Sequence, residues 1–248
     1  MKHIPLSKNL FCTNAIVVLL FFSIGLEGRA EEAGTSGKHL FILSGQSNMA
    51  VMPEEEFTSV VNEAFGEENV IVVKVAQHGK SIMEWYNGWT PPKNAEGKDK
   101  YATLPKGRLY KKLINKVKPA IEGQALKSVT FVWMQGERDA RMKWADVYED
   151  SLKGLIKQLQ QDLGYKDINV VIGRINDFAM DNIKSPHWTK IREIQVGMAD
   201  ADPQIEWIDT DDLNGEKNDI HMTNPQGYKE LAERFANKSI AMIKANSN

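Results

Sequence analysis

The sequence predicts an α/β domain of three layers, α/β/α, around a central parallel sheet of about five strands. Three observations predict it. Apolar, β-branched runs recur along the chain: "HLFILSG" from 39, "NVIVVKVA" from 69, "SVTFVWMQ" from 128, "INVVIGRI" from 168 and a shorter "IEWIDT" from 205. Their continuous apolarity, in place of strict alternation, marks strands buried on both faces. Helical stripes lie between them, and strands that alternate with helices pair in parallel through right-handed crossovers.

The chain has 248 residues, 42% hydrophobic and 26% charged, enough for one large domain with a sizeable core. Residues 1–30 stand outside it and carry the pattern of a secretory signal peptide. Lys2, His3 and Lys8 make a basic start, "AIVVLLFFSIGL" at 15–26 is a short apolar run, and "GRA" at 28–30 offers small residues for cleavage. A membrane anchor needs roughly 20 apolar residues, more than this run supplies. The mature protein is therefore expected to be secreted or periplasmic, without a membrane partner. "EEAGTSG" at 31–37 is a polar tether, and the domain occupies 38–248.

The single cysteine, Cys12, falls inside the leader, so the mature domain relies on packing and not on disulfides. Removing 1–30 takes away Lys2, Lys8, Arg29 and Glu27, which leaves 28 basic against 32 acidic side chains. A net charge of −4 without a basic stripe excludes a nucleic-acid partner.

Each helix has its own signal. Phe57, Val60, Val61, Ala64 and Phe65 form a stripe that Gly66 ends. Leu109, Leu113, Ile114 and Val117 form another, which should stop before Pro119. The clearest stripe runs through 144–163, with Trp144, Val147, Tyr148, Leu152, Leu155, Ile156, Leu159 and Leu163 at three- and four-residue steps. Ser185-Pro186 and Asn224-Pro225 have the form of N-cap and first-turn pairs that open two more helices.

Open parallel sheets gather ligands at the carboxyl ends of their strands, so the residues just after each strand are the ones to inspect. Gly45-Gln46-Ser47-Asn48 follows the first strand, Gln77-His78-Gly79-Lys80-Ser81 the second and Gln135-Gly136-Glu137-Arg138-Asp139 the third. Asn218-Asp219-Ile220-His221 precedes the last helix. A serine on a strand-end turn, a histidine from a late loop and a carboxylate are the parts of nucleophilic acyl transfer, because a serine hydroxyl attacks only when a base takes its proton.

These four blocks, "GQSN", "HGKSIMEW", "WMQGERDA" and "NDIHMTNPQGYKELAERFA", resemble those of the SGNH-hydrolase superfamily. More narrowly they resemble the sialate O-acetylesterase and acetyl xylan esterase group, carbohydrate esterase family six. The resemblance implies a flavodoxin-like sandwich and a serine esterase that removes O-acetyl groups from a carbohydrate without metal or organic cofactor. It implies Ser47 as nucleophile, His221 as general base, and the backbone N–H groups of Ser47 and Gly79 as oxyanion donors, with Gln46 and Asn48 at the substrate. Gln135 stands where the superfamily places an asparagine donor; its amide either joins the oxyanion hole or orients the loop. Aspartate is usual three residues before the histidine, where this chain has Asn218. The acid behind His221 is then Asp219 or Glu137, and a carboxylate at 137 needs a partner of its own, such as His221, Arg138 or Arg174.

Several other features are expected to be structural. Asp139 reads as an N-cap, "DTDD" at 209–212 as turn chemistry, and His78 and His187 lack the spacing of a zinc site. The long segment 87–107 is polar and proline-rich. With Trp85, Tyr86, Trp89 and Tyr101 it offers aromatic faces for a sugar or, alternatively, a cover packed by its own rings. Two rivals stand beside the esterase: a lipase or phospholipase of the same superfamily, and a noncatalytic carbohydrate-binding protein.

Overall fold

In the computed structural model the described residues are 37–246, so the expected signal peptide and nearly all of the tether lie outside them. Strand β1 (Lys38–Gly45) is buried along almost its whole length, because it runs between two parallel neighbours and under helices on both faces. The neighbours are β2 (Val70–Ala76) and β3 (Leu126–Met134), followed outward by β4 (Ile168–Gly173) and β5 (Ile205–Ile208). The sheet is parallel throughout, in the order β2-β1-β3-β4-β5. The expected five-stranded α/β/α architecture is the one observed.

Successive side chains of each strand enter two separate cores. Leu40 and Ile42 of β1, Phe131 and Trp133 of β3, and Val170 and Ile172 of β4 face one way. They meet Leu109, Leu113 and Val117 of α4 (Arg108–Ile121), Leu152, Leu155 and Leu159 of α6 (Tyr148–Leu163), and Ile191 of α7 (Trp188–Ala201). Phe41 and Leu43, with Val132, Met134 and Val171, face the other way. There they meet Phe57 and Val61 of α2 (Glu54–Phe65) and Leu231 and Phe235 of α8 (Gln226–Ala245). Truncating one such ring, Phe131→Ala for example, removes about 3–5 kcal/mol. The edge strand β2 is only half-buried, contrary to its largely apolar run, because among the described residues no further strand covers its outer side. Lys74 on it turns its ammonium to the carbonyl of Met52 at 2.5 Å.

Other boundaries also differ from expectation. α4 runs on past Pro119, which falls in the last turn, where the ring forfeits a single helical bond. The stripe 144–163 begins as a short 3₁₀ turn, Ala145–Val147, before α6. α7 starts at Trp188 with His187 at its N-cap, and α8 starts at Gln226 after a cis Asn224–Pro225 bond, so neither Ser185 nor Asn224 caps a helix. The segment 87–107 contains a helix of its own, α3 (Lys98–Thr103).

Chain direction changes sides between β1 and β3: β2 lies to one side of β1, and β3, β4 and β5 to the other. A crevice opens at the carboxyl ends of strands at such a switch point. β1 and β3 lead there into "GQSN" and "QGERD".

Candidate active site

The end of β1 depends on a glycine. Gly45 has φ +149°, and a Cβ at that position would stand 2.0 Å from the carbonyl oxygen of Met134. Without a side chain the two backbones stay in contact, and the N–H of Gln46 donates to that carbonyl at 2.9 Å. The chain then turns at once into the short helix α1 (Ser47–Val51), which Ser47 opens. The first N–H groups of a helix have no intrahelical partner, so the amide of Ser47 is available to an incoming oxygen. Ser47 itself is 6% exposed.

Gln135 joins the strand-end loops together. Its side-chain amide faces Oε1 of Gln46 at 3.3 Å, the carbonyl of Lys80 at 3.2 Å and Oδ2 of Asp139 at 2.5 Å. Two hydrogens before three acceptors leave none for an oxyanion, so the geometry is that of the loop-orienting alternative. Oε1 of Gln46 also accepts the N–H of Arg138 at 3.2 Å. Gln46 and Gln135 thus lock the turn before Ser47 to the loop after β3. Gly136, at φ +154°, allows that loop to pass Ile191, whose Cγ2 would lie 2.7 Å from an added Cβ.

Asp139 does not cap a helix. It is the third residue of α5 (Glu137–Arg141), with Gly136 at the N-cap, and its fully buried carboxylate accepts the N–H of Ile82 at 3.0 Å. Burial pushes this carboxyl up to about 7, against the pull of the Gln135 hydrogen bond.

Glu137 is buried beside it, 4% exposed. Its Oε1 accepts from Asn48 Nδ2 at 3.0 Å, while Oε2 has no partner among the described residues. Burial pushes Glu137 up to about 7 as well, opposed by its hydrogen bonds to backbone N–H groups and to Asn48. Of the cationic or hydrogen-bonding partner expected for Glu137, the structure shows the second kind, the amide of Asn48. Arg174 is engaged elsewhere, with Asp209 at 2.6 Å and Asp211 at 2.7 Å.

His221 stands on the loop before α8. Its N–H donates to Oδ1 of Asp219 at 3.0 Å, and its ring Nδ1 lies 3.8 Å from the same oxygen. Both side chains are open to solvent, 49% for the histidine and 64% for the aspartate. Asn218, at φ +48°, occupies the position expected for the acid and uses its side chain to hold the loop: its Oδ1 accepts from Asn214 at 2.6 Å, and its Nδ2 donates to the carbonyl of Asp177. A cleft of about 400 Å³ runs along this loop past Asp219 and His221. The link between Glu137 and this loop passes through Asn48, whose Nδ2 also donates to the carbonyl of Ile220 at 3.1 Å.

The substrate-binding expectation for Trp85 is corrected by its burial. The ring is 0% exposed, packs edge-on against Trp133 at 5.2 Å and donates its indole N–H to Ser44 at 2.8 Å, so neither face is open to a sugar. Trp89 is buried against Trp144, which also receives the edge of Tyr101 at 4.9 Å. The aromatics of 87–107 anchor the segment, as in the alternative offered for it. Gly79, at φ +64°, has open space where a side chain would be, which leaves its amide unshielded.

Three features of this edge have no local sequence signal. Asn48 acts through partners 89 or more positions away, and Gln135 reaches back 55 positions to Lys80 and 89 to Gln46. "DTDD" makes a turn, with Asp209 Oδ1 accepting the N–H of Asp211, and also pairs with arginines: Asp211 with Arg192 at 2.7 Å and Asp212 with Arg234 at 2.7 Å. These pairs tie α7 and α8 to the end of β5. Among the described residues no group of three or more His, Cys, Asp or Glu side chains is arranged to hold a metal ion.

The same fold occurs in known structures. A protein of Arabidopsis thaliana superposes with a TM-score of 0.63 at 18% identity, over 83% of this chain and 98% of that one. A carbohydrate acetylesterase from Xanthomonas citri gives 0.55 at 20% identity, over 81% of this chain and 55% of the other, so this chain spans about half of that longer enzyme. NanS gives 0.59 at 12% identity, over 85% and 98%. No curated protein matches the sequence. The family model described as carbohydrate esterase, sialic acid-specific acetylesterase, matches residues 50–241, most of the described chain. The chain therefore belongs to that carbohydrate-esterase family, and with it to the carboxylic ester hydrolases.

Proposed function

We propose that this protein removes O-acetyl groups from a carbohydrate through an acetyl-Ser47 intermediate. The observation that carries this reading is the placement of Ser47 at the start of α1, on the switch point of the sheet, with the next residue, Asn48, hydrogen-bonded to the peptide adjoining His221. Family membership supplies the acetylated carbohydrate as the substrate class.

In the first step Nε2 of His221 takes the proton of Ser47 Oγ as the oxygen attacks the acetyl carbonyl. The tetrahedral oxyanion faces the N–H groups of Ser47 and Gly79, donors worth about 3 kcal/mol each when preorganised. Collapse breaks the ester bond, and the imidazolium returns its proton to the departing sugar hydroxyl. Water, activated by the same imidazole, then attacks acetyl-Ser47 and releases acetate. Asp219 holds the ring and offsets its positive charge; Gln46 and Asn48 set the serine turn.

Initial rates on 4-nitrophenyl acetate and on longer acyl esters, for wild type and Ser47→Ala, test this reading. Acetate-selective hydrolysis that Ser47→Ala abolishes is expected. Equal rates for the two proteins would exclude the serine, preference for long chains would indicate the lipase, and inactivity of both would indicate the noncatalytic binder. Acetate release from O-acetylated sialic acid compared with acetylated xylan identifies the sugar. Cleavage after Ala30 and secretion are part of the same proposal; N-terminal sequencing of the exported protein should begin at Glu31.

A further inference from the structure

We propose that Asn48 is a positioning residue which fixes His221 against Ser47, and that Tyr228 acts through it. This rests on the assignment of Ser47 and His221 just made. Asn48 is 1% exposed and its amide is fully directed. One Nδ2 hydrogen goes to Oε1 of Glu137 at 3.0 Å, the other to the carbonyl of Ile220 at 3.1 Å, and Oδ1 accepts the hydroxyl of Tyr228 at 3.1 Å. Those partners come from α5, from the His221 loop and from α8, residues 89, 172 and 180 positions away. Turning the amide over would set its oxygen against a carboxylate and a carbonyl, so the network admits a single orientation.

The placement matters because Asn48 follows Ser47 directly and Ile220 precedes His221 directly. His221 and Asp219 are themselves exposed, with the aspartate 3.8 Å from the ring, while Met222 beside them is buried in the core. Hydrogen bonds from Asn48 and from Asn176, whose Nδ2 donates to the carbonyl of Asp219 at 3.0 Å, hold this loop to the sheet edge. Of these two side chains, Asn48 is the one on the nucleophile's own helix. A core position needing only bulk would be filled by an apolar side chain, since a buried amide is tolerated when its groups are satisfied. Oε2 of Glu137 lacks a partner among the described residues while Oε1 serves Asn48, so that carboxyl acts on the site through the amide.

The test is steady-state kinetics on 4-nitrophenyl acetate for Asn48→Ala, Tyr228→Phe, the double variant and Ser47→Ala, with thermal melts of each. Misalignment of a catalytic pair by about 1 Å lowers kcat about 10²-fold, the expectation for Asn48→Ala, with KM held within about twofold. Tyr228→Phe removes one hydrogen bond, should lower kcat about tenfold, and, because it leaves the buried Asn48 Oδ1 unpaired, should lower the melting temperature by several degrees. The double variant should be no slower than Asn48→Ala alone, since Tyr228 has nothing to orient once the amide is gone. A double variant slower by the product of the single effects would overturn the shared pathway. Loss of activity in Ser47→Ala with unchanged kcat in Tyr228→Phe and Asn48→Ala would overturn the positioning role alone. Full activity in Ser47→Ala would remove the nucleophile assignment and this inference with it. If Asn48→Ala fails to fold, Tyr228→Phe decides: an unchanged kcat, or a fall in stability without a fall in kcat, is contrary to the proposal.

Discussion

Replacing Glu137 by glutamine should change how folding stability depends on pH. The carboxyl is buried, with one oxygen on Asn48 and the other unpartnered among the described residues, and burial raises it from an ordinary 4.5 to about 7. The folded protein therefore holds a proton there that the unfolded chain has released between those two values. Stability from this group is fully present below about 4.5 and is lost as pH rises through about 7. Each pKa unit corresponds to about 1.4 kcal/mol, so Glu137 withdraws about 3 kcal/mol between about pH 4.5 and about pH 8. In Glu137→Gln the side chain keeps its shape and an acceptor for Asn48 but carries no titrating group. Urea unfolding at half-unit steps from about pH 4.5 to about pH 8 measures both proteins. Wild type should lose about 3 kcal/mol more than the variant across that range, and the variant should be the more stable at about pH 8. Curves that stay parallel within about 1 kcal/mol would refute the assignment of a buried, proton-holding carboxyl.

Other consequences are equally specific. Asp219→Asn should lower kcat on 4-nitrophenyl acetate by about 10²-fold, less than the about 10⁴-fold of a buried triad acid, because this carboxylate is solvated and 3.8 Å from the ring. Glu137→Gln should lower kcat less than Asp219→Asn does, and the reverse order would exchange their roles. Gly45→Ala forces a Cβ into the Met134 carbonyl and should cost at least about 3 kcal/mol in denaturant unfolding; a near-native midpoint would contradict the geometry of the β1 turn. Trp85→Phe should lower the melting temperature by several degrees while leaving KM for an acetylated sugar unchanged, and a selective rise in KM would restore a substrate contact for that ring.

Legibility in the sequence followed the range of the interaction concerned. The central stretches of β1, β3 and β4 are largely apolar because both faces are covered, and the runs announce it. β2 has the same composition at a sheet edge; composition reports what can be buried and not whether a neighbour arrives. The convergence of "GQSN", "HGK", "QGERD" and "NDIH" on one edge follows from parallel topology alone. Their side-chain bonding does not. Asn48 meets Tyr228 across 180 residues, and Asp139 caps nothing but accepts a backbone N–H from residue 82. Trp85 carries the same letter whether it stacks on a sugar or fills a core; only the indole bond to Ser44 and the packing against Trp133 separate the two. The arginine pairs of "DTDD" were equally hidden, since Arg174, Arg192 and Arg234 come from three different parts of the chain.

The most direct test of the mechanism is to stop turnover of 4-nitrophenyl acetate with acid within milliseconds and map acetylated peptides by mass spectrometry. An acetyl group on the peptide bearing Ser47, accumulating with the burst of nitrophenol and absent from Ser47→Ala, is the predicted result. Acetylation of another side chain, or unchanged turnover in Ser47→Ala, would contradict it.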